Sequence, residues 1–213
     1  YLLLVRETGY IQYIDPDTLL TPAREKDLII RLVQKTGHFV RDGAVVARGL
    51  DTYAVAPQLV ADGAAPAAYL RLAAVPGAAP VLGGINFPDL RTIYPSVAQA
   101  AFAVAHVIAP FQVDGLRLIF LGAELATLAL MIAILRDVGA SPMWAALYWW
   151  NPLPAAMLVG LAHVDALIPP LVLGAVLVAS RSRPILAGVL VVLAAGVKIW
   201  PLLLVPVMLW PLL

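Results

Sequence analysis

The sequence predicts a mainly α-helical, polytopic membrane protein of about four to five spans, some broken by proline, with a small β-containing extramembrane segment at its N-terminus. Three observations lead there. Four apolar stretches, 118–135, 144–162, 166–180 and 185–213, fill the last hundred residues. The chain is 62% hydrophobic and 13% charged, with a mean hydropathy of +0.91. Charge is also uneven: residues 1–48 hold seven of the fourteen Lys/Arg and six of the thirteen Asp/Glu, and only nine charged residues follow Arg91. A helix needs about 20 mainly apolar residues to cross the hydrocarbon core, and three of the stretches approach that length with their flanks while the last exceeds it.

The first unit, 1–48, reads as a small β-rich extramembrane segment. Leu2–Val5, Tyr10–Ile14 and Leu28–Val33 have strand-like composition. Asp15-Pro16-Asp17 is a turn in which Asp17 can cap a helix over Thr18–Lys26. Lys35-Thr36-Gly37-His38 and Arg41-Asp42-Gly43 are further turn signals. The second unit, 49–114, reads as an extracytoplasmic loop. Ala, Pro and Gly dominate 54–80, a composition that buries little core by itself. Within it, 97–109 is a short apolar helix, opened by Pro95-Ser96 and closed by Pro110, and too short to span.

The third unit, 115–213, holds the transmembrane helices. The first span covers 115–136. The second starts at Ser141-Pro142 and is interrupted at Asn151-Pro152-Leu153-Pro154. The third runs from about Asp165 to Ser180 with Pro169-Pro170 near its start, and the fourth begins at Pro184 and is interrupted by Lys198 and Pro201. Tyr1-Leu-Leu-Leu-Val5 is too short for a signal sequence, Met does not open the chain, and Leu213 lies within an apolar run; a piece of a longer membrane protein is the expectation.

Several function classes fall away. A net charge of +1 without a basic run predicts no nucleic-acid partner. Zero cysteines exclude disulfides, zinc–thiolate sites and iron–sulfur clusters. The bilayer itself is the first partner.

Positive charge marks the cytoplasmic side, and Arg181-Ser182-Arg183 is the best anchor. Counting spans from it puts the Arg136–Gly139 turn on the same side, with the His163–Asp165 turn and the 42–96 loop opposite. Lys198, about 21 Å up a helix from Pro184, nears that opposite end. Asp42, Asp51, Asp89, His163, Asp165 and Lys198 thus come out near one face. Ionisable groups in membrane segments are costly and mark functional sites. The alternatives are structural: an interhelical Asp165–Lys198 ion pair, a capping role for His163, and an interhelical polar contact for Glu124, seven residues from Arg117 on one helical face. Trp144, Tyr148, Trp149 and Trp150 read as an interfacial aromatic belt.

Some of these residues carry a resemblance. The run from Asp42-Gly43 to Gly49-Leu50-Asp51-Thr52-Tyr53, then Ile85-Asn86-Phe87-Pro88-Asp89-Leu90-Arg91-Thr92-Ile93-Tyr94-Pro95-Ser96-Val97-Ala98-Gln99, resembles the first extracytoplasmic loop of bacterial integral-membrane glycosyltransferases of the glycosyltransferase-C superfamily, which use polyprenyl-phosphate sugars. Asn151-Pro152-Leu153 with Gly160-Leu161-Ala162-His163-Val164-Asp165 resembles a second motif of that group, and Lys198-Ile199-Trp200-Pro201 a third. The likeness covers about 42–213. Residues 1–40 resemble the extramembrane part of a bacterial membrane family of unknown function. The pattern departs upstream, where the segment 1–40 replaces the group's first membrane helix and its acidic pair.

The resemblance implies transfer, mannosyltransferase-like, of a sugar from a polyprenyl-phosphate donor to a lipid or glycan acceptor. The reaction would take place on the extracytoplasmic face of the bacterial inner membrane, with the 42–96 loop in the periplasm. Asp42 or Asp89 would be the catalytic base. Lys198, His163 and Arg91 would meet the phosphate, Asp165 would orient His163 or a sugar hydroxyl, and Tyr94 and Asn151 would complete substrate binding. No cofactor is implied; a divalent metal could sit on acidic residues, but no dense Asp/Glu cluster favours one. The rival reading is a non-catalytic accessory subunit bound to other membrane subunits of a larger complex. A transporter with helices broken at Asn151-Pro152 and Pro169-Pro170 is a third, disfavoured by the lack of internal repeats.

Overall fold

The computed structural model describes residues 44–85 and 87–206, and these are helical, with no strand among them. The extended segments expected over 1–43 lie outside the described residues. Where the expected β-rich unit enters them, at 44–47, the backbone is a helical turn instead. Three short helices follow, α1 (Pro57–Ala61), α2 (Ala67–Ala73) and α3 (Ala78–Leu82). The larger helices are α4 (Ser96–Ile108), α5 (Asp114–Asp137), α7 (Ile168–Ser180) and α8 (Pro184–Ala195), with the short α6 (Ala145–Trp149) between α5 and α7.

The 49–96 region therefore carries more order than a loop. Val45, Val55, Ala65 and Tyr69 form a small core of their own, with Leu50, Val60, Leu70 and Leu72 against it. The Tyr69 hydroxyl donates to the Asp51 carbonyl at 2.6 Å, tying α2 to the preceding turn. Burial, with Asp51 nearby, pushes the Tyr69 phenol above its ordinary range.

Helix α5 is the one described helix long and apolar enough to cross a membrane: 24 residues, or about 36 Å at 1.5 Å per residue. Asp114 lies in its first turn and Arg136 in its last, each matched to the helix dipole. The second and third apolar stretches become a broken element. A π-helix (Pro154–Gly160) bends by 104° into Val164–Ser180, and this pair counts as one further span at most. Among the described residues one or two helices are therefore long and apolar enough to span, short of the four to five expected. Proline accounts for the difference. Pro152 and Pro154 admit only a one-turn α6 and a π-helix, and Ala162 takes a left-handed φ of 53° at the break. Within the fourth stretch, α8 ends at Ala195 with Gly196 as its C-cap, so it has 12 residues and Lys198 lies beyond it rather than within it.

Close backbone approach holds the bundle together. A Cβ on Gly115 would overlap the Ala105 carbonyl of α4, so α4 and α5 meet there without a side chain between them. α7 and α8 pack most extensively, over Ala175, Ala187 and Val191, with Gly174 facing Leu190. At the α7–α8 turn Arg181 pairs with Asp137 at 3.1 Å, so this turn and the end of α5 share one end of the bundle. The sequence reading placed both on one side.

Candidate functional site

At the other end, three sequence segments meet. The N-terminus of α4 opens without a side-chain cap, and Ser96 is not one. Instead the Gly196 carbonyl accepts from the N–H groups of Val97 (2.9 Å) and Ala98 (3.2 Å). An acceptor from another segment thus satisfies two of the donors that every helix start leaves open. Gly196 is needed there, because a Cβ would overlap the Val97 side chain. Two residues on, Lys198 Nζ donates to Asp165 Oδ2 at 2.8 Å. Ala98, Phe102, Ala162, Val164, Ala166, Ile168 and Val197 share one buried cluster, on which Tyr94 and Val97 pack. The segments 94–99, 162–168 and 196–198 are therefore one constellation.

The ion pair is only half withdrawn from solvent, with Lys198 47% and Asp165 35% exposed. His163 is half-buried at the helix break, its N–H 3.4 Å from the Met157 carbonyl and its own carbonyl accepting from Ala166. Tyr94 stacks edge-on against Phe102, ring centroids 5.2 Å apart, and its carbonyl accepts from the Tyr53 hydroxyl at 2.6 Å. Asp89 and Arg91 are exposed on the turn leading to Tyr94. Asp42 lies outside the described residues. Asn151 joins a different feature. Its Oδ1 accepts from the Leu153 N–H (3.0 Å), and it lines a groove of about 610 Å³ with Ser141, Trp144 and Trp150, beside the turn that follows α5. Among the described residues no three His, Asp or Glu stand together as metal ligands.

Two features escaped the sequence reading, the bonds of Gln99 and the bond of Arg117 to Gly160. Gln99, 4% exposed, donates through Nε2 to Thr92 Oγ1 (2.7 Å) and to the Tyr94 carbonyl (3.4 Å). Its place one turn into an apolar helix was the available signal. Arg117 donates to both Asp114 (2.9 Å) and the Gly160 carbonyl (3.2 Å), closing the C-terminal end of the π-helix with a cation. Glu124, 4% exposed, accepts from the Tyr148 hydroxyl at 2.8 Å. The interhelical contact weighed for Glu124 is thus present, and Tyr148 faces inward, unlike the exposed Trp144, Trp149 and Trp150 of the expected belt.

With this geometry in view, the comparisons with known proteins are specific in one region. Residues 1–66 match a family described as a predicted membrane protein. That match takes in Asp42 and Asp51, and residues 67–93, with Asp89 and Arg91, fall in neither family match. No curated protein and no solved structure matches the chain. Residues 94–213 match the alpha-(1->6)-mannopyranosyltransferase N-terminal domain, a range that opens at Tyr94 and contains all three converging segments. Because that match covers more than half of its residues, the chain belongs to the alpha-(1->6)-mannopyranosyltransferase family.

Proposed function

We propose that this membrane protein transfers a mannose from a polyprenyl-phosphate donor to a hydroxyl of a lipid or glycan acceptor, on the extracytoplasmic face of the bacterial inner membrane. The observation that carries the reading is the meeting of 94–99, 162–168 and 196–198 at one end of the bundle, inside the family match. In this scheme the acceptor oxygen attacks the anomeric carbon as the bond from that carbon to the phosphate oxygen breaks. The acceptor's proton passes to a carboxylate, Asp89 or Asp42. Lys198 meets the departing phosphate, Asp165 holds Lys198 in place, and His163 and Arg91 add donors. A polyprenyl tail would lie along the apolar helices.

The closed Lys198–Asp165 pair also suits a purely structural role, the accessory-subunit reading. The full-length protein in lipid nanodiscs, given radiolabelled polyprenyl-phosphate mannose and a mannan acceptor, separates the two. Transfer that Asp89→Asn or Asp42→Asn abolishes in a folded protein supports the enzyme. No transfer with any polyprenyl-phosphate sugar supports the accessory subunit.

A further inference from the structure

Helix α4 does more than pack. Its N-terminal turn is tied on one side to Gly196, two residues before Lys198. On the other side Gln99 holds the segment that carries Asp89 and Arg91. The Gln99 amide is buried, and both bonds come from Nε2, to Thr92 Oγ1 and the Tyr94 carbonyl, while Oε1 has no partner among the described residues. A glutamine is costly to bury in an apolar cluster, and Phe102 and Ala105 next along the helix are fully apolar. The donors of this amide are the groups in use, and both reach the same short stretch, 92–94.

We infer that Gln99 is a positioning residue, which fixes the arm bearing Asp89 and Arg91 against the Lys198–Asp165 pair through the first turn of α4. The role rests on the reading of the chain as a sugar transferase, but its mechanical half can be measured without activity. Misplacement by about 1 Å can cost 10²-fold in rate, so loss of the two bonds should reach turnover although Gln99 touches no substrate.

The chain has no cysteine, so paired labels carry no background. Spin labels at Leu90→Cys and Ile199→Cys, both exposed, report the distance between arm and pair in the full-length protein in nanodiscs. The unsubstituted background should give one narrow distribution. Gln99→Met keeps the volume and removes the donors; Gln99→Glu keeps the shape and places an acceptor against the Tyr94 carbonyl. Both should broaden the distribution and lower kcat by about tenfold or more with donor KM little changed. Thr92→Val, which leaves the helix core intact, should do the same to a lesser degree and add little on top of Gln99→Met. An unchanged distribution in folded Gln99→Met and Thr92→Val proteins overturns the positioning role, whatever the activity. A broadened distribution with unchanged kcat overturns its catalytic half. A broadened distribution in a protein that transfers no sugar before substitution leaves the mechanical tie standing and removes the transferase reading instead.

Discussion

Lys198 and Asp165 are half exposed, and an ion pair of that kind contributes about 0–1 kcal/mol to stability. Removing the cation from a bound phosphate should cost more, because a hydrogen bond to a charged group is worth about 1.5–3 kcal/mol. Lys198→Met is therefore expected to lower affinity for polyprenyl-phosphate mannose about tenfold or more while changing stability by less than about 1 kcal/mol. Filter binding and thermal melts on one preparation check both; a large stability loss with unchanged affinity would make the pair a strut. His106 gives a pH-dependent case. Its Nδ1 accepts from the Phe111 N–H at 3.5 Å, across a turn where Phe111 takes a φ of 57°. Burial, with Arg48 nearby, holds its pKa below the ordinary 6.5. The unfolded chain then takes up the proton first as pH falls, so stability is level above about 6.5 and declines below it. Melting at pH 7.5 and 5.5 should show this decline, and His106→Gln should flatten it. Individual polar residues were legible in the sequence by their cost in an apolar setting, as with His163, Asp165 and Lys198. Gln99 was passed over, because an uncharged amide one turn into an apolar helix is a weak signal until its partners on the preceding loop are known.

Between α4 and α5 the controlling contact is backbone on backbone. Gly115→Ala would drive a methyl into the Ala105 carbonyl, which cannot rotate away. A loss of about 1–3 kcal/mol or more is expected, read as a lower melting temperature. Gly122→Ala on the same helix, where the space is open, should be neutral or slightly stabilising. Element positions were largely readable: 115–136 became Asp114–Asp137, 97–109 became Ser96–Ile108, and the start at Pro184 is observed. Those ends have strong local signals in Pro, Gly and charge. The short helices α1 to α3 were missed, because Ala-, Pro- and Gly-rich sequence reads as loop until Tyr69 and Val45 supply a small core. The second stretch breaks at Asn151–Pro154, where the prolines predict it, because hydropathy continues there but hydrogen bonding does not. Composition could not reveal that the start of α4 is capped by Gly196, since that acceptor is a hundred residues away in the chain.

At the scale of the whole molecule the bundle has two chemically different ends. One carries the Arg181–Asp137 pair. The other carries Lys198–Asp165, the helix break and the start of α4. This division was readable from the charge pattern, though the number of spans was not. The arginine-rich turn is expected in the cytoplasm, so Ser182→Cys should resist an impermeant thiol reagent in intact cells while Ala64→Cys reacts. The reverse pattern would invert the proposed sidedness. The most direct test of the site is photocrosslinking of the full-length protein in nanodiscs with a polyprenyl-phosphate mannose that bears a diazirine on the sugar, followed by peptide mapping. Labelling within 92–99, 162–168 and 196–200, competed by unmodified donor, is the predicted result. Competed labelling confined to 136–151 or 181–184, at the opposite end and along the tryptophan-lined groove, would contradict it.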